Sequence, residues 1–184
     1  MNRIIILKKE KTALVVPEKQ DVNIWVKWIN DLEISQYITT YWTVLTKENE
    51  EEFYNEMIND KNSRHFSIYS LTENKSIWNA ILTWIAFDRW VAEIWITIFD
   101  KESQNKWHWS ETMKMLLEFW FNILWLRKLR LRVFWNNNRA KHIYEKVWFK
   151  NVWVFKKEYF RNWEFIDENI MEIFREDFLL QIKK

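Results

Sequence analysis

Asn137-Asn-Arg-Ala-Lys-His-Ile-Tyr-Glu-Lys-Val-Trp-Phe149 is the stretch on which the reading of this chain turns. Ala140, Ile143, Tyr144 and Val147 recur at helical spacing, so a helix over 137–147 has one apolar side. Asn137 suits the N-cap, where a short side-chain oxygen accepts an otherwise unbonded N–H of the first turn. Past Val147 the helix has to stop. Helices commonly stop on a residue with left-handed backbone, usually Gly, yet Trp148 stands there.

The oddity is general. The 184 residues include 15 Trp and no Gly, where about 7% Gly is ordinary. Thirteen Phe and six Tyr are unexceptional, so the excess belongs to Trp alone. Trp107 and Trp109 in Gln104-Asn-Lys-Trp-His-Trp109, and Trp163 in Arg161-Asn-Trp-Glu164, also sit where a tight turn wants a residue without a Cβ. Most of these Trp are therefore expected to be Gly in the natural protein. Two origins are open: a gene whose UGA codons mean glycine, read as tryptophan, or deliberate Gly-to-Trp replacement.

Composition narrows the function classes. Lys and Arg number 28 against 26 Asp and Glu, a net charge of +2, too balanced to imply a nucleic-acid or anionic-membrane partner. No Cys is present, which removes disulfides, thiol nucleophiles and thiolate metal sites. The apolar run at the start is too short for a secretion signal. The longest apolar stretch, Met115 to Leu126, is broken by Glu118 and Asn122 and is shorter than a membrane span. His65, His108 and His142 share no ligand spacing, so no metal is expected. The expectation is a cytoplasmic protein with a single domain over residues 1–184.

Working outward, Leu129, Leu131 and Val133 alternate with Arg130 and Arg132, the pattern of a half-buried strand with a solvated basic face. Ser110–Leu124 reads as a helix, with Met113, Leu116, Leu117, Phe121 and Leu124 along one side. Strands are expected at Ile4–Leu7, Ala13–Val16, His65–Leu71, Ile77–Phe87 and Val91–Phe99. Val152–Phe160 and Glu164–Phe174 form a hairpin if residue 163 is Gly. Asp21 is placed as the cap of a helical segment holding Ile24, Ile29 and Leu32, and Thr46 opens an acidic helix reaching Asp60. That order predicts an α/β fold around a mixed, mostly antiparallel central sheet flanked by helices.

Between strand Val91–Phe99 and helix Ser110–Leu124, Gln104-Asn-Lys-Trp-His-Trp109, read with glycines, is a turn of successive backbone N–H groups opening a helix. Such a turn binds a pyrophosphate. Its spacing resembles the (Gln/Arg)-x-x-Gly-x-(Gly/Ala) turn of the GNAT N-acetyltransferases, which cradles coenzyme A. The Asn137–Phe149 stretch resembles that family's Asn-x-x-Ala-x-x-x-Tyr-Glu-Lys-x-Gly-Phe helix and is the more specific match. Trp28-Ile-Asn-Asp31, Ala92-Glu-Ile-Trp95 and Phe160-Arg-Asn-Trp163 add to it. Together they resemble the ribosomal-protein-acetylating branch, with similarity also to spermidine acetyltransferases. Trp28 falls where that branch often carries a true Trp.

The resemblance implies direct attack of an amine on acetyl-coenzyme A in a ternary complex. Coenzyme contacts fall to Gln104, Asn105, Lys106, Trp107, His108, Trp109 and Ser110 at the turn, with Lys106 and Arg139 as candidates for the phosphates. Backbone groups of Ile96, Thr97, Ile98 and Phe99 would meet the pantetheine arm, and Asn137 is a coenzyme contact as well as a cap. Tyr144 is the candidate general acid for the departing thiolate; a plain core aromatic is the alternative. Glu93 would take the amine proton, directly or through water, unless it is merely structural. The expected acceptor is a protein N-terminus, with spermidine, an amino sugar or an aminoglycoside as the alternative, in a monomer or homodimer. Two other classes stay open: a Trp-rich binding module and a catalytically dead acyl-coenzyme A binder.

Overall fold

The computed structural model describes residues 3–38, 43–98 and 108–182. The chain groups into two compact units, one of Met1–Ile81 with Ile96–Leu116, the other of Leu82–Trp95 with Leu117–Lys184. The fold is mixed α/β with mostly antiparallel strands, as the sequence predicts.

In the first unit, β1 (Ile5–Lys8) pairs antiparallel with β2 (Thr12–Val15), and β2 pairs antiparallel with β3 (Arg64–Ser70) from Thr12↔Ser70 to Val15↔Ser67. Strand β4 (Lys75–Ala86) follows next to β3. Every residue of β2 is buried, and Ala13, Val15 and Tyr69 pack into one cluster. The short α2 (Leu32–Ser35) comes between α1 (Val22–Ile29) and α3 (Lys47–Asn59) in the chain, and α1 and α3 share a second cluster. There Val22, Trp25 and Met57 are buried, with Val26, Trp28 and Tyr54 against them. The single helical segment expected over Ile24 to Leu32 is thus two, because Asp31 starts a new cap by accepting the Glu33 N–H at 2.9 Å. Helix α3 begins on a reciprocal capping box, Thr46 Oγ1 accepting from Asn49 N and Asn49 Oδ1 from Thr46 N. Helix α4 (His108–Glu118) is fastened to β2 through Glu111, whose carboxylate accepts from Lys11 N at 3.2 Å and Thr12 Oγ1 at 3.0 Å.

The second unit has the strand order β4, β5 (Val91–Ile98), β6 (Lys128–Phe134), β8 (Glu164–Phe174), β7 (Lys150–Arg161). Strands β5 and β6 are parallel, in register from Val91↔Lys128 to Ile94↔Leu131, while β6–β8 and β7–β8 are antiparallel. Leu129, Leu131 and Val133 are buried, as their alternation requires. The helix expected to run to Leu124 keeps α geometry only to Glu118. It then widens into a π-helical turn over Phe119–Ile123, a local insertion that periodicity does not reveal. Helix α5 (Asn138–Lys146) matches expectation. A further helix, α6 (Arg175–Ile182), was not foreseen; its Phe178 is fully buried, 5.4 Å from the Phe121 ring.

Asp21 departs from its expected role. It precedes α1, but its side chain caps nothing there. Instead it accepts from Arg3 at 2.6 Å, from Ser67 and Ser76 at 2.8 Å each, and from the Glu18 N–H at 3.0 Å. Burial pushes this carboxyl up, but Arg3, the Glu18 amide, Ser76 and Ser67 outweigh it and hold it below the usual range. A carboxyl depressed on folding stabilises the fold above its unfolded value, and that contribution is lost as pH falls through the folded one. Asp21→Asn leaves the buried Arg3 charge with Glu18, at 3.3 Å, as its one carboxylate among the described residues, so urea denaturation at pH 7 should show a loss of about 3 kcal/mol. The gap between mutant and parent should narrow below pH 4; a gap independent of pH counts against the charge network.

Candidate active site

Asn137 and Tyr144 are positioned by the two ends of α5. At the start, Asn137 Oδ1 accepts from Ala140 N at 3.1 Å, so the capping role is real. At the finish, Trp148 N donates to the Glu145 carbonyl and Phe149 N to the Tyr144 carbonyl, both at 3.0 Å. That bond pair is the Schellman arrangement, and it is accompanied by the Tyr144–Phe149 ring contact at 5.9 Å. Tyr144 is 7% exposed. Burial pushes its phenol far above the ordinary range, which keeps the hydroxyl protonated and able to donate. Arg139 lies one turn earlier on the exposed side of α5.

Glu93 sits on β5, half-buried, and its carboxylate is engaged by Arg132 Nε at 3.1 Å. The other end of that guanidinium reaches Glu168 at 3.3 Å. Arg132 thus bridges carboxylates from β5 and β8. Burial works against its charge, but Glu93 and Glu168 more than restore it. The Glu168 side chain is 2% exposed. Burial raises its carboxyl despite Arg132 and a hydrogen bond from Tyr159. The basic face of β6 is therefore not simply solvated: Lys128 and Arg130 both reach Glu172, at 2.8 and 2.9 Å. Sequence reading missed Glu168, Glu172 and Tyr159. The register Arg130↔Glu172 that sets basic against acidic side chains is a property of strand pairing, although alternating acids in Glu168-Asn-Ile-Met-Glu172 carried a hint.

Of the coenzyme-binding expectations, Asn137 and Arg139 lie at the start of α5 in the second unit, and the others fall at 96–99 and 104–110. Ile96, Thr97 and Ile98 close β5, and among the described residues the β5–β6 pairing has already ended at Ile94 and Leu131. His108, Trp109 and Ser110 form the first turn of α4, where the opening N–H groups have no acceptor within the helix. Phe99, Gln104, Asn105, Lys106 and Trp107 lie outside the described residues. Among the described residues, no three His, Asp or Glu gather as a metal would need, and no helix is long and apolar enough to cross a membrane.

Residues 12–150 match the family described as acetyltransferase (GNAT) domain. The spermidine N-acetyltransferase of Vibrio cholerae, solved with CoA and spermine, is 26% identical with a TM-score of 0.83, covering 93% of this chain and 99% of its own. A dodecameric structure of spermidine N-acetyltransferase from the same organism, in an intermediate state, is also 26% identical with a TM-score of 0.79, covering 94% and 99%. No match is found among curated protein sequences. The chain belongs to the GNAT acetyltransferase family. It is an acetyl-CoA-dependent N-acyltransferase.

Replacing Arg132 by Met leaves Glu93 and Glu168 facing each other without their shared cation. Denaturation at pH 7 should then show a loss of about 1–2 kcal/mol, discounted for the partial exposure of the pair. The deficit should shrink as pH falls and Glu168, whose carboxyl is raised by burial, gains its proton. A variant as stable as the parent at pH 7 shows the bridge to be idle.

Proposed function

We propose that the acceptor is a small polyamine of the spermidine class, acetylated on a primary amine, rather than the protein N-terminus that the sequence motifs suggested. The observation that carries this is the similarity, over nearly the full length of both chains, to a spermidine N-acetyltransferase solved with CoA and spermine. Helix α3 supports it. Glu48, Glu52 and Glu56 are exposed and spaced four residues apart along one side. Like charges at that spacing destabilise a helix by about 0.2–0.5 kcal/mol per pair, and a polycation relieves the repulsion.

In the proposed mechanism the neutral amine nitrogen attacks the thioester carbonyl carbon, the carbon–sulfur bond breaks, and the thiolate takes a proton from Tyr144 Oη. Burial keeps the phenol protonated but also weakens it as an acid, so the transfer has to accompany carbon–sulfur cleavage as charge develops on sulfur. Glu93, ion-paired to Arg132, is the proposed sink for the amine proton. The proton can pass to it directly or through one water, the amine and carboxylate needing only hydrogen-bond reach. The first turn of α4 and the residues 104–107 before it are proposed to hold the pyrophosphate. Backbone groups of 96–99 would take the pantetheine arm, and Asn137, Arg139 and Lys106 are coenzyme contacts.

Steady-state assays with spermidine, spermine and an alanine-initiated peptide test the acceptor. The polyamines should show the higher kcat/KM, falling with ionic strength as screening requires; a preference for the peptide overturns the assignment. Tyr144→Phe should lower kcat by about 10²-fold with little change in KM for acetyl-CoA. An unchanged kcat would return Tyr144 to the core.

A further inference from the structure

Five Trp residues have left-handed backbone: Trp84 (φ 52°), Trp90 (54°), Trp125 (56°), Trp148 (69°) and Trp163 (66°). Among the described residues the other non-glycine residues with positive φ are Asn74, Lys157 and Asn162, and Asn is the side chain that best tolerates this region. For a bulky side chain the region is a genuine outlier. Chance does not place one residue type there five times.

The surroundings of at least four of the five describe a glycine. Trp148 is the residue after the C-cap of α5, in the Schellman arrangement. Trp125 holds the same place after the turn Phe119–Ile123, whose end closes through Leu126 N to the Trp120 carbonyl at 3.1 Å. Asn162 and Trp163 are the two residues between Arg161 and Glu164, a paired position of β7 and β8. Both have positive φ, which is the type I′ hairpin turn that calls for Asn-Gly. Trp90 is the last residue of the four-residue loop joining β4 to β5, left-handed after a turn closed by Arg89 N to the Ala86 carbonyl. Trp84 lies inside β4, where a left-handed residue is the mark of a glycine-type bulge.

Two of the five indoles gain little in exchange. Trp163 is 91% exposed and Trp84 80%, so neither is held in place by packing. Trp90 and Trp125 line a cavity of about 670 Å³ together with Arg127, Phe174 and Arg175. Two of that cavity's aromatic walls are thus residues poorly suited to their own backbone. Trp25 is the contrast: helical, 3% exposed and in contact with Phe53 and Tyr54.

We infer that the polypeptide made in the source cell carries glycine at positions 84, 90, 125, 148 and 163, because the gene's UGA triplets are decoded there as glycine. The same decoding at 107 and 109 would restore the small residues that a phosphate-holding turn needs.

Two measurements test this. Mass spectrometry of tryptic peptides 76–89, 90–101, 115–127, 147–150 and 162–175 from source-cell material should show each lighter by the difference between an indolylmethyl group and hydrogen at the assigned positions. Peptides of full tryptophan mass, or UGG codons at the five positions in the gene, overturn the inference. In a recombinant host, the literal chain and single variants are compared by thermal unfolding. Trp148→Gly and Trp163→Gly should each raise Tm by about 2–4 °C, and the Ala variants by less, since Ala shares the left-handed penalty. Trp25→Gly should lower it. Equal gains from Gly and Ala would show that side-chain bulk, not backbone conformation, is being relieved, and the structural basis of the assignment fails.

Discussion

The placement of Tyr144 depends on the backbone turning left-handed one residue beyond the C-cap of α5. The Tyr144 carbonyl accepts from both Val147 N and Phe149 N, so the residue proposed as general acid is itself part of the lock that ends its helix. Only a positive φ at residue 148 lets the chain fold back far enough to make both bonds. That reversal also brings the Phe149 ring against the phenol, which excludes water and keeps the proton on oxygen. Local backbone conformation, ring packing and proton affinity are consequences of one dihedral angle, and Asn137 fixes the opposite end of the same helix.

Three buried carboxylates show how donor count decides charge. Asp21 has Arg3, two serines and a backbone amide around it, and its carboxyl is held low. Glu168 has Arg132 and Tyr159 for donors, and burial still wins. Glu50 on α3, raised by burial with no opposing influence, marks the other extreme. Desolvation is common to all three; what differs is how many protons point at the oxygens. Asp21 is accordingly an anchor of the first unit. Glu168 is a group whose charge responds to what happens at Arg132, and through Arg132 it is coupled to Glu93.

Most of the fold was legible because its signals are local. Thr46 with Asn49, Asn137 ahead of an apolar stripe, and Leu129, Leu131 and Val133 alternating with basic residues each announce an element without distant information. Asp21 was misread because a carboxylate before a helix is ordinarily its cap, and nothing nearby reveals that Arg3, Ser67 and Ser76 converge on it from elsewhere in the chain. The widening at Phe119–Ile123 and the helix Arg175–Ile182 escaped for a related reason. The first is a packing adjustment, and the second buries Phe178 against Phe121 without a long apolar stripe of its own. Of the site, α5 and Glu93 were visible as motifs. The Arg132 bridge was not, since it depends on which strand lies beside β6.

Net charge is a poor guide to the acceptor. At +2 the whole chain repels a polyamine slightly, yet at physiological ionic strength charges separated by more than about 8 Å are largely screened. The proposed recognition must therefore be local. On α3, Glu51 is neutralised by Lys19 and Lys47, and Glu50 is buried. The row Glu48, Glu52, Glu56 is left facing solvent, about 6 Å from one carboxylate to the next along a helix rising 1.5 Å per residue. Amines on a polymethylene chain match a row of anions at such intervals. A protein N-terminus offers one ammonium followed by peptide groups and engages at most one of the three. The same three carboxylates thus favour the polyamine over the N-terminus, and they do so by spacing rather than by total charge.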